Sequence, residues 1–218
     1  VLGPPVDLLA SWGLDMLSIA NNHRYDCGPD GFSETASLLS NAGLRSIGLD
    51  SKPVMVEVNR LSLAFFAFDD ISSSIDIDSA AQTIHDASEN GAMAIISIHW
   101  GAEYQGAPTD RQLAIAARFV EAGAVLIWGH HPHVLQPCDG CKISNLPGTV
   151  VLFSLGNALF DQYGLPDTRR SALMMVHLDE DGVQEFHTIP FVIDEPRSRL
   201  IAADEATAKK ILERLRPK

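Results

Sequence analysis

The sequence predicts an α/β domain in which mixed sheets pack together and helices lie outside them. Strands and helices alternate up to Gly129, a pattern typical of parallel strands joined by crossover helices. Two later strands flank a turn at residues 179–182, which indicates an antiparallel hairpin. The two patterns together predict mixed sheets, with two of them packed face to face.

Five helices are predicted from apolar periodicity and from the residues that start and stop helices. Pro4 and Pro5 precede the first helix and Gly13 follows it, Gly43 follows the second, and Pro108 precedes the fourth. The predicted helices are residues 6–12, 32–41, 79–89, 109–122 and 203–215.

Short apolar or alternating runs predict the strands. The run at 124–128 is continuously apolar and the run at 92–98 is interrupted only by Ser97, as expected for buried strands, and the later runs alternate or are apolar. The predicted strands are residues 15–20, 45–48, 54–58, 61–68, 92–98, 124–128, 149–154, 172–178 and 183–192.

Composition excludes several functional classes. The chain of 218 residues carries a net charge of −12, so nucleic acid is not an expected partner, because phosphate binding depends on Lys and Arg. No run of 18 apolar residues predicts a transmembrane helix, and no signal peptide is recognisable.

Among the three cysteines, Cys138 and Cys141 lie in a predicted loop, where a local disulfide or two free thiols are favoured over a zinc site.

Three predicted strands end in the same kind of chemistry. Asn22 and His23 follow the first, His99 follows the strand at 92–98, and the run 129–133 follows the strand at 124–128 with three histidines in four residues. Carboxyl ends of parallel strands lie on one edge of a sheet, so these side chains are expected to meet there. Imidazole is a ligand for Zn, Mn, Fe, Ni or Cu, and the sequence therefore predicts a metal site.

These stretches resemble the pattern of the calcineurin-like metallophosphoesterases, and most closely the CapA (poly-γ-glutamate capsule synthesis) family of that superfamily. The resemblance covers about residues 6–195. The matching stretches are residues 17–23 with Asp26 and Gly28, residues 99–104 with Pro108 and Gln112, residues 129–133, and residues 154–157 with Phe160 and Asp161.

The resemblance implies a β-sandwich of mixed sheets flanked by helices (α/β/β/α), with two divalent ions of Mn, Fe or Zn at one end of the sheets. Asn22, His99, His131 and His133 would be the metal ligands, with His130 as their neighbour. His23 would correspond to the general acid that protonates a leaving-group oxygen.

Four further residues fall near this implied site. Asp26 and Glu103 are candidates to orient imidazoles, although a solvated carboxylate or a helix cap explains them equally well. Asn157 and Asp161 either support the pocket or shape a turn. The implied substrate is an anionic small molecule or polymer, and the implied setting is the extracytoplasmic face of a bacterial membrane, beside membrane partners of capsule synthesis.

One part of the superfamily pattern is missing. A Gly-Asp motif that supplies a metal-bridging aspartate should precede Asn22, and none is present. Neutral imidazoles and an amide do not offset the charge of two divalent ions, so weak binding of one ion is predicted for this chain. The expectation is one domain over residues 1–218 that lacks its N-terminal Gly-Asp strand, with a degenerate site as the alternative.

Two functions therefore remain open. The histidines favour a metal-dependent hydrolase that acts on a phosphoester or related anion, whereas the missing aspartates favour a polymer-assembly or binding component without turnover. A zinc deaminase is not supported, because the H-x-E half of its signature is absent. A serine hydrolase is not supported either, because there is no G-x-S-x-G elbow.

Overall fold

Eleven strands and five α-helices make up the part of the chain that the structure describes. This computed structural model describes residues 6–138, 148–162, 164–194 and 199–216. The strands are β1 (Met16–Ser18), β2 (Arg45–Ile47), β3 (Val54–Val58), β4 (Leu61–Asp69), β5 (Met93–His99), β6 (Ala124–His130), β7 (Leu135–Cys138), β8 (Val150–Leu155), β9 (Arg170–Asp179), β10 (Gly182–Asp194) and β11 (Arg199–Ala202). The helices are α1 (Val6–Ser11), α2 (Gly28–Asn41), α3 (Ile77–Glu89), α4 (Asp110–Glu121) and α5 (Glu205–Leu215), with a 3₁₀ turn at Pro166–Arg169.

A six-stranded mixed sheet with the order β3-β4-β5-β6-β8-β7 is central. Its four inner strands, β4, β5, β6 and β8, pair in parallel, while the outer strands β3 and β7 are antiparallel to their neighbours. The crossover between β4 and β5 is α3 and the crossover between β5 and β6 is α4, as the alternation in the sequence predicts.

Each face of this sheet is covered by a different layer. Helices α3 and α4 cover one face, where Phe119 packs in a cluster with Ile96 of the sheet. The other face packs against a three-stranded antiparallel sheet of order β11-β10-β9, since Leu126 shares a cluster with Val183. The prediction of an α/β fold with a mixed sheet flanked by helices and packed on a second sheet is confirmed, except that the second sheet is antiparallel and not mixed.

Two smaller units complete the fold around the site. Strands β1 and β2 form a parallel pair, and Ile47 of β2 and Ala20, just after β1, pack against Ala67 of β4. Helix α5 packs at the far edge, where Ile211 and Leu215 contact the region of β7 and β9. The β1–β2 pair thus places the loop after β1 beside the end of the central sheet.

Several predicted boundaries were wrong for identifiable reasons. Helix α2 begins at Gly28, four residues before the predicted start at residue 32, because Pro29 fits the first turn of a helix and does not stop it. Strand β7 was missed because it contains Pro137, which is tolerated because β7 is an edge strand. Strand β11 was also missed, since all four of its residues are exposed and its sequence shows no alternation.

Gly129 does not end β6, contrary to the prediction, because the strand continues through it to His130. A Cβ atom at Gly129 would overlap the indole nitrogen of Trp100 and the carbonyl oxygen of Phe153, which are themselves joined by a hydrogen bond of 2.9 Å. Glycine is required here because Trp100 crosses the strand, and Trp100 is fully buried.

Two remaining expectations concern cysteines and membrane spans. Cys141 lies outside the described residues, so the prediction for the Cys138–Cys141 pair is not tested. In the described part of the chain, no helix has the length and apolar character needed to cross a bilayer.

Replacing Gly129 with Ala should destabilise the protein by about 2 kcal/mol, because the added methyl group forces Trp100 or the β8 backbone to move. The free energy of unfolding, measured by urea denaturation, checks this. Gly164→Ala is the matched control, because nothing lies within 4 Å of a Cβ at that position. Equal stability of the two variants would contradict the packing role of Gly129.

Candidate functional site

The carboxyl ends of β4, β5 and β6 bring three titratable side chains into one row. The parallel register pairs Asp69 with His99 and His99 with His130. Backbone bonds continue the alignment one residue further, from the Asp70 amide to the His99 carbonyl (2.9 Å) and from the Trp100 amide to the His130 carbonyl (3.0 Å). Strand register alone therefore sets the spacing of these three groups.

His99 lies at the centre of a chain of hydrogen bonds. Its Nε2 is 2.8 Å from Oδ1 of Asn22, its Nδ1 is 2.6 Å from Nδ1 of His130, and Nε2 of His130 is 3.0 Å from the Ser97 hydroxyl. Because an amide oxygen only accepts, His99 Nε2–H donates to Asn22. Neutral His99 then accepts from His130 Nδ1–H, and Ser97 donates to His130.

Burial keeps these imidazoles neutral. The pKa of His99 is lowered to about 3 and that of His130 to about 4, first by burial and then by neighbouring imidazoles. The pKa of His131 is also lowered, first by burial, although Glu103 opposes the shift. Neutral imidazole is the form that binds metal ions, so the site is prepared for a cation at neutral pH.

Asp69 is a buried carboxylate that the sequence analysis missed. Burial raises its pKa, but hydrogen bonds from the Ser72 hydroxyl and from the amides of Ile71 and Ser72 outweigh burial, so the pKa is lowered overall. Its position at the end of β4 follows the same strand-end rule that identified His99. Because its oxygens already accept three hydrogen bonds, Asp69 shapes the turn after β4 and places a negative charge beside His99.

The loop after β6 has an unusual backbone. His131 and His133 have positive φ angles of 98° and 60°, which non-glycine residues rarely adopt. The Tyr104 amide donates to the Pro132 carbonyl between them (2.8 Å), and Tyr104 itself has a φ of 61°. The loop after β5 thus holds the histidine loop in a strained shape, as is common at binding sites.

This loop contact assembles a group of metal-ligand type. One side-chain donor atom from each of Glu103, His131 and His133 lies within 4.8 Å of the other two. Two imidazoles and one carboxylate suit Zn, Mn or Fe, so these residues could hold a divalent ion. Glu103, which the sequence suggested as a residue that orients imidazoles, therefore also lies where it could be a ligand.

Asn157 fixes the orientation of His133. Its amide nitrogen donates to the Thr168 carbonyl (3.1 Å), so its Oδ1 accepts from His133 Nδ1 (2.8 Å). The protonated Nδ1 leaves Nε2 of His133 with a free lone pair, as a metal ligand requires. The expectation that Asn157 supports the pocket agrees with this contact.

His23 lies at the rim of the same region. Nδ1 of His23 is 2.8 Å from Oδ2 of Asp26, and both side chains are about two-thirds exposed. Both line a cavity of about 810 Å³ that also reaches Asn22, His99, His130 and His133. Asp26 therefore orients His23, and a ligand in the cavity can approach both His23 and the buried histidines.

The structure brings together most of the residues that the sequence selected. The ring centres of His99 and His131 are 4.6 Å apart and those of His131 and His133 are 5.9 Å apart, while Asn22 bonds to His99. Asp161 is the exception, since it is exposed and makes no contact with this group in the described part of the chain.

Comparison with known proteins identifies a family. The model of the bacterial capsule synthesis protein family PGA_cap matches residues 5–162, more than half of the chain. The chain is 32% identical to the PGA biosynthesis protein CapA of Bacillus subtilis (strain 168), over 96% of this chain and 59% of that protein. It is 34% identical to the capsule biosynthesis protein CapA of Bacillus anthracis, over 84% of this chain and 49% of that protein.

The matched relatives are longer proteins, and the chain spans between about half and three fifths of their length. A solved structure supports the fold independently of sequence. The crystal structure of a hypothetical protein from Thermus thermophilus matches with a TM-score of 0.56 and 16% identity, covering 85% of this chain and 79% of that one.

Acid should destabilise the fold through the two buried histidines. In the unfolded chain a histidine gains its proton near pH 6.5, whereas folded His99 and His130 stay neutral down to pH values of about 3 and 4. Stability is therefore fully present above pH 6.5 and is lost as the pH falls toward 4. When the pH falls from 7 to 5.5, the free energy of unfolding of the wild type should decrease by about 1 kcal/mol more than that of His130→Gln, as measured by urea unfolding.

The histidine ring signals give an independent check by NMR. Those of His99 and His130 should remain at neutral-form positions over the same interval. A titration midpoint near pH 6.5 for either ring would contradict the prediction.

Proposed function

The chain belongs to the bacterial capsule synthesis protein family PGA_cap, and from that premise we propose that it acts in poly-γ-glutamate capsule biosynthesis through a metal-dependent phosphoesterase-type site. The observation that carries the proposal is the convergence of Glu103, His131 and His133. Its setting is the extracytoplasmic face of the membrane, beside membrane partners of capsule synthesis, as the family resemblance suggests.

Glu103, His131 and His133 would hold one divalent ion of Mn, Fe or Zn. The carboxylate supplies one negative charge and the two imidazoles are neutral ligands, which suits a single ion better than two. Asn22 and His99 lie beside this group and are proposed as further ligands, in line with the family pattern. Binding would replace the Asn22–His99 hydrogen bond, and His99 would then carry its proton on Nδ1, donate to His130 and offer Nε2 to the ion. His130 orients His99 through the Nδ1–Nδ1 contact.

The remaining side chains have roles that follow from their contacts. A bound divalent ion would supply Lewis-acid polarisation of an anionic ester oxygen. His23 would donate a proton to the leaving group from Nε2, because Asp26 holds its Nδ1. Asn157 would keep His133 in the tautomer that exposes Nε2.

A polymer-assembly role without turnover is the second candidate, and one observation favours it. The group within ligand distance contains a single carboxylate, and Asp69 is already engaged in its own turn. An ion could then serve to bind an anionic polymer without activating water.

Hydrolysis of bis-(p-nitrophenyl) phosphate with added Mn²⁺ distinguishes the two functions. Wild type should be active and chelation should abolish that activity. Glu103→Gln and His99→Ala should each lower it at least tenfold, because each removes a proposed ligand. Glu57→Gln, at an exposed position outside the site, is the matched control and should behave as wild type.

The other outcomes also decide between the candidates. Activity that survives chelation and both substitutions contradicts the metal-dependent site. Mn²⁺ binding by calorimetry that is lost in Glu103→Gln, without hydrolysis by wild type, supports the assembly role.

A further inference from the structure

A second cavity, outside the site described above, concentrates positive charge. It encloses about 140 Å³ between α5, the start of β7 and the 3₁₀ turn. Its charged lining residues are Arg170, Lys210, Arg214 and Asp167, with Val134, Leu135 and Ile211 as the apolar part. Three cations face one carboxylate here, in a chain whose net charge is −12. The local charge is therefore opposite to that of the protein as a whole.

The cations of this cavity are only partly neutralised. Arg170 bonds to Asp167 (2.7 Å), whereas Arg214 donates to the uncharged Leu135 carbonyl (3.4 Å). Within the described residues, neither Lys210 nor Arg214 has a carboxylate oxygen within 4 Å, although Lys210 is near enough to Asp204 to contribute to the lowered pKa of that carboxyl. Lys210 and Arg214 also lie four residues apart on one helical face, where like charges disfavour the helix. A bound anion would relieve that repulsion.

The cavity lies next to the candidate metal centre along the chain, although the two have no lining residue in common. Val134 and Leu135 follow His133 directly, and two residues span at most about 7 Å. Asn157, which orients His133, also bonds to Thr168 next to Asp167. On the other side, Gly106 lies three residues after Glu103, and a Cβ there would overlap the Arg214 guanidinium. The chain segments that line the cavity are thus direct neighbours of the segments that carry His133 and Glu103.

We propose that this cavity is a carboxylate subsite that holds one carboxylate of an acidic glutamate polymer while the polymer extends to the metal centre. The proposal rests on the proposed function for the identity of the polymer. A guanidinium presents paired N–H donors that match a carboxylate, and an ammonium adds a point charge. Val134 and Ile211 supply an apolar wall for the methylene groups between the carboxylates of a γ-linked chain.

The test measures binding of fluorescein-labelled γ-linked hexaglutamate by fluorescence anisotropy at low ionic strength, with the whole chain and with chelator present. Lys210→Gln/Arg214→Gln should weaken binding at least tenfold. Lys209→Gln/Arg216→Gln, the matched control in and just after the same helix with the same charge change, should shift it less than twofold. The neutral γ-linked hexaglutamine should not compete.

A second measurement needs no variant. The hexamer should slow acetylation of Lys210 by an acetyl ester, followed by mass spectrometry, and should leave Lys209 unaffected. Equal binding by the two double variants, competition by hexaglutamine, or equal protection of both lysines would each overturn the subsite. Inorganic phosphate that displaces the hexamer at equal concentration would show a general anion site and overturn the assignment to carboxylate.

The outcome is separable from that of the proposed function. Chelator removes any contribution of metal, so a failed hydrolysis assay leaves this binding result intact. Conversely, Mn²⁺-dependent hydrolysis that persists in Lys210→Gln/Arg214→Gln, with unchanged hexamer binding, refutes the subsite and leaves the metal centre in place.

Discussion

The site depends on the parallel register of three neighbouring strands. Asp69, His99 and His130 share one row because β4, β5 and β6 are paired in that register. Side chains alternate between faces along a strand, so a slip of one residue would send His99 to the opposite face of the sheet. The register is held by the buried apolar face under α3 and α4 and by Trp100, which crosses β6 at Gly129. Apolar packing at a distance from the site thus determines where these three side chains lie at the end of the sheet.

The row of histidines is unfavourable for folding in two respects. Burial keeps the imidazoles of His99 and His130 from being protonated, which lowers the stability of the fold at acidic pH. In addition, His131 and His133 adopt positive φ angles that cost on the order of 1 to 3 kcal/mol each. The surrounding contacts offset these costs: Asn22 and Ser97 satisfy the ends of the hydrogen-bond chain, and Tyr104 holds Pro132. A sequence selected for stability alone has no need of this arrangement, and a binding role gives it a reason.

Sequence patterns identified the fold class and the strand ends that carry Asn22, His99 and the histidine loop, because these follow from local periodicity and one rule about parallel sheets. They suggested that Glu103 orients imidazoles but did not identify it as a possible ligand beside His131 and His133, because that contact depends on a loop whose path is set by the Tyr104–Pro132 bond. Gly129 was misinterpreted for a similar reason. Its role comes from Trp100, which is distant in sequence and close in space, and no local pattern records such an approach.

The distribution of charge bears on the proposed binding of an acidic polymer by an acidic protein. A net charge of −12 repels a polyanion over most of the surface, and this keeps nonspecific adhesion low. In the proposed function, attraction would come from two places where the sign reverses: a cation held by Glu103, His131 and His133, and the lining of Arg170, Lys210 and Arg214. Because the two places share the segment from His133 to Leu135, the polymer would be held along one path, and release would be assisted by repulsion on either side.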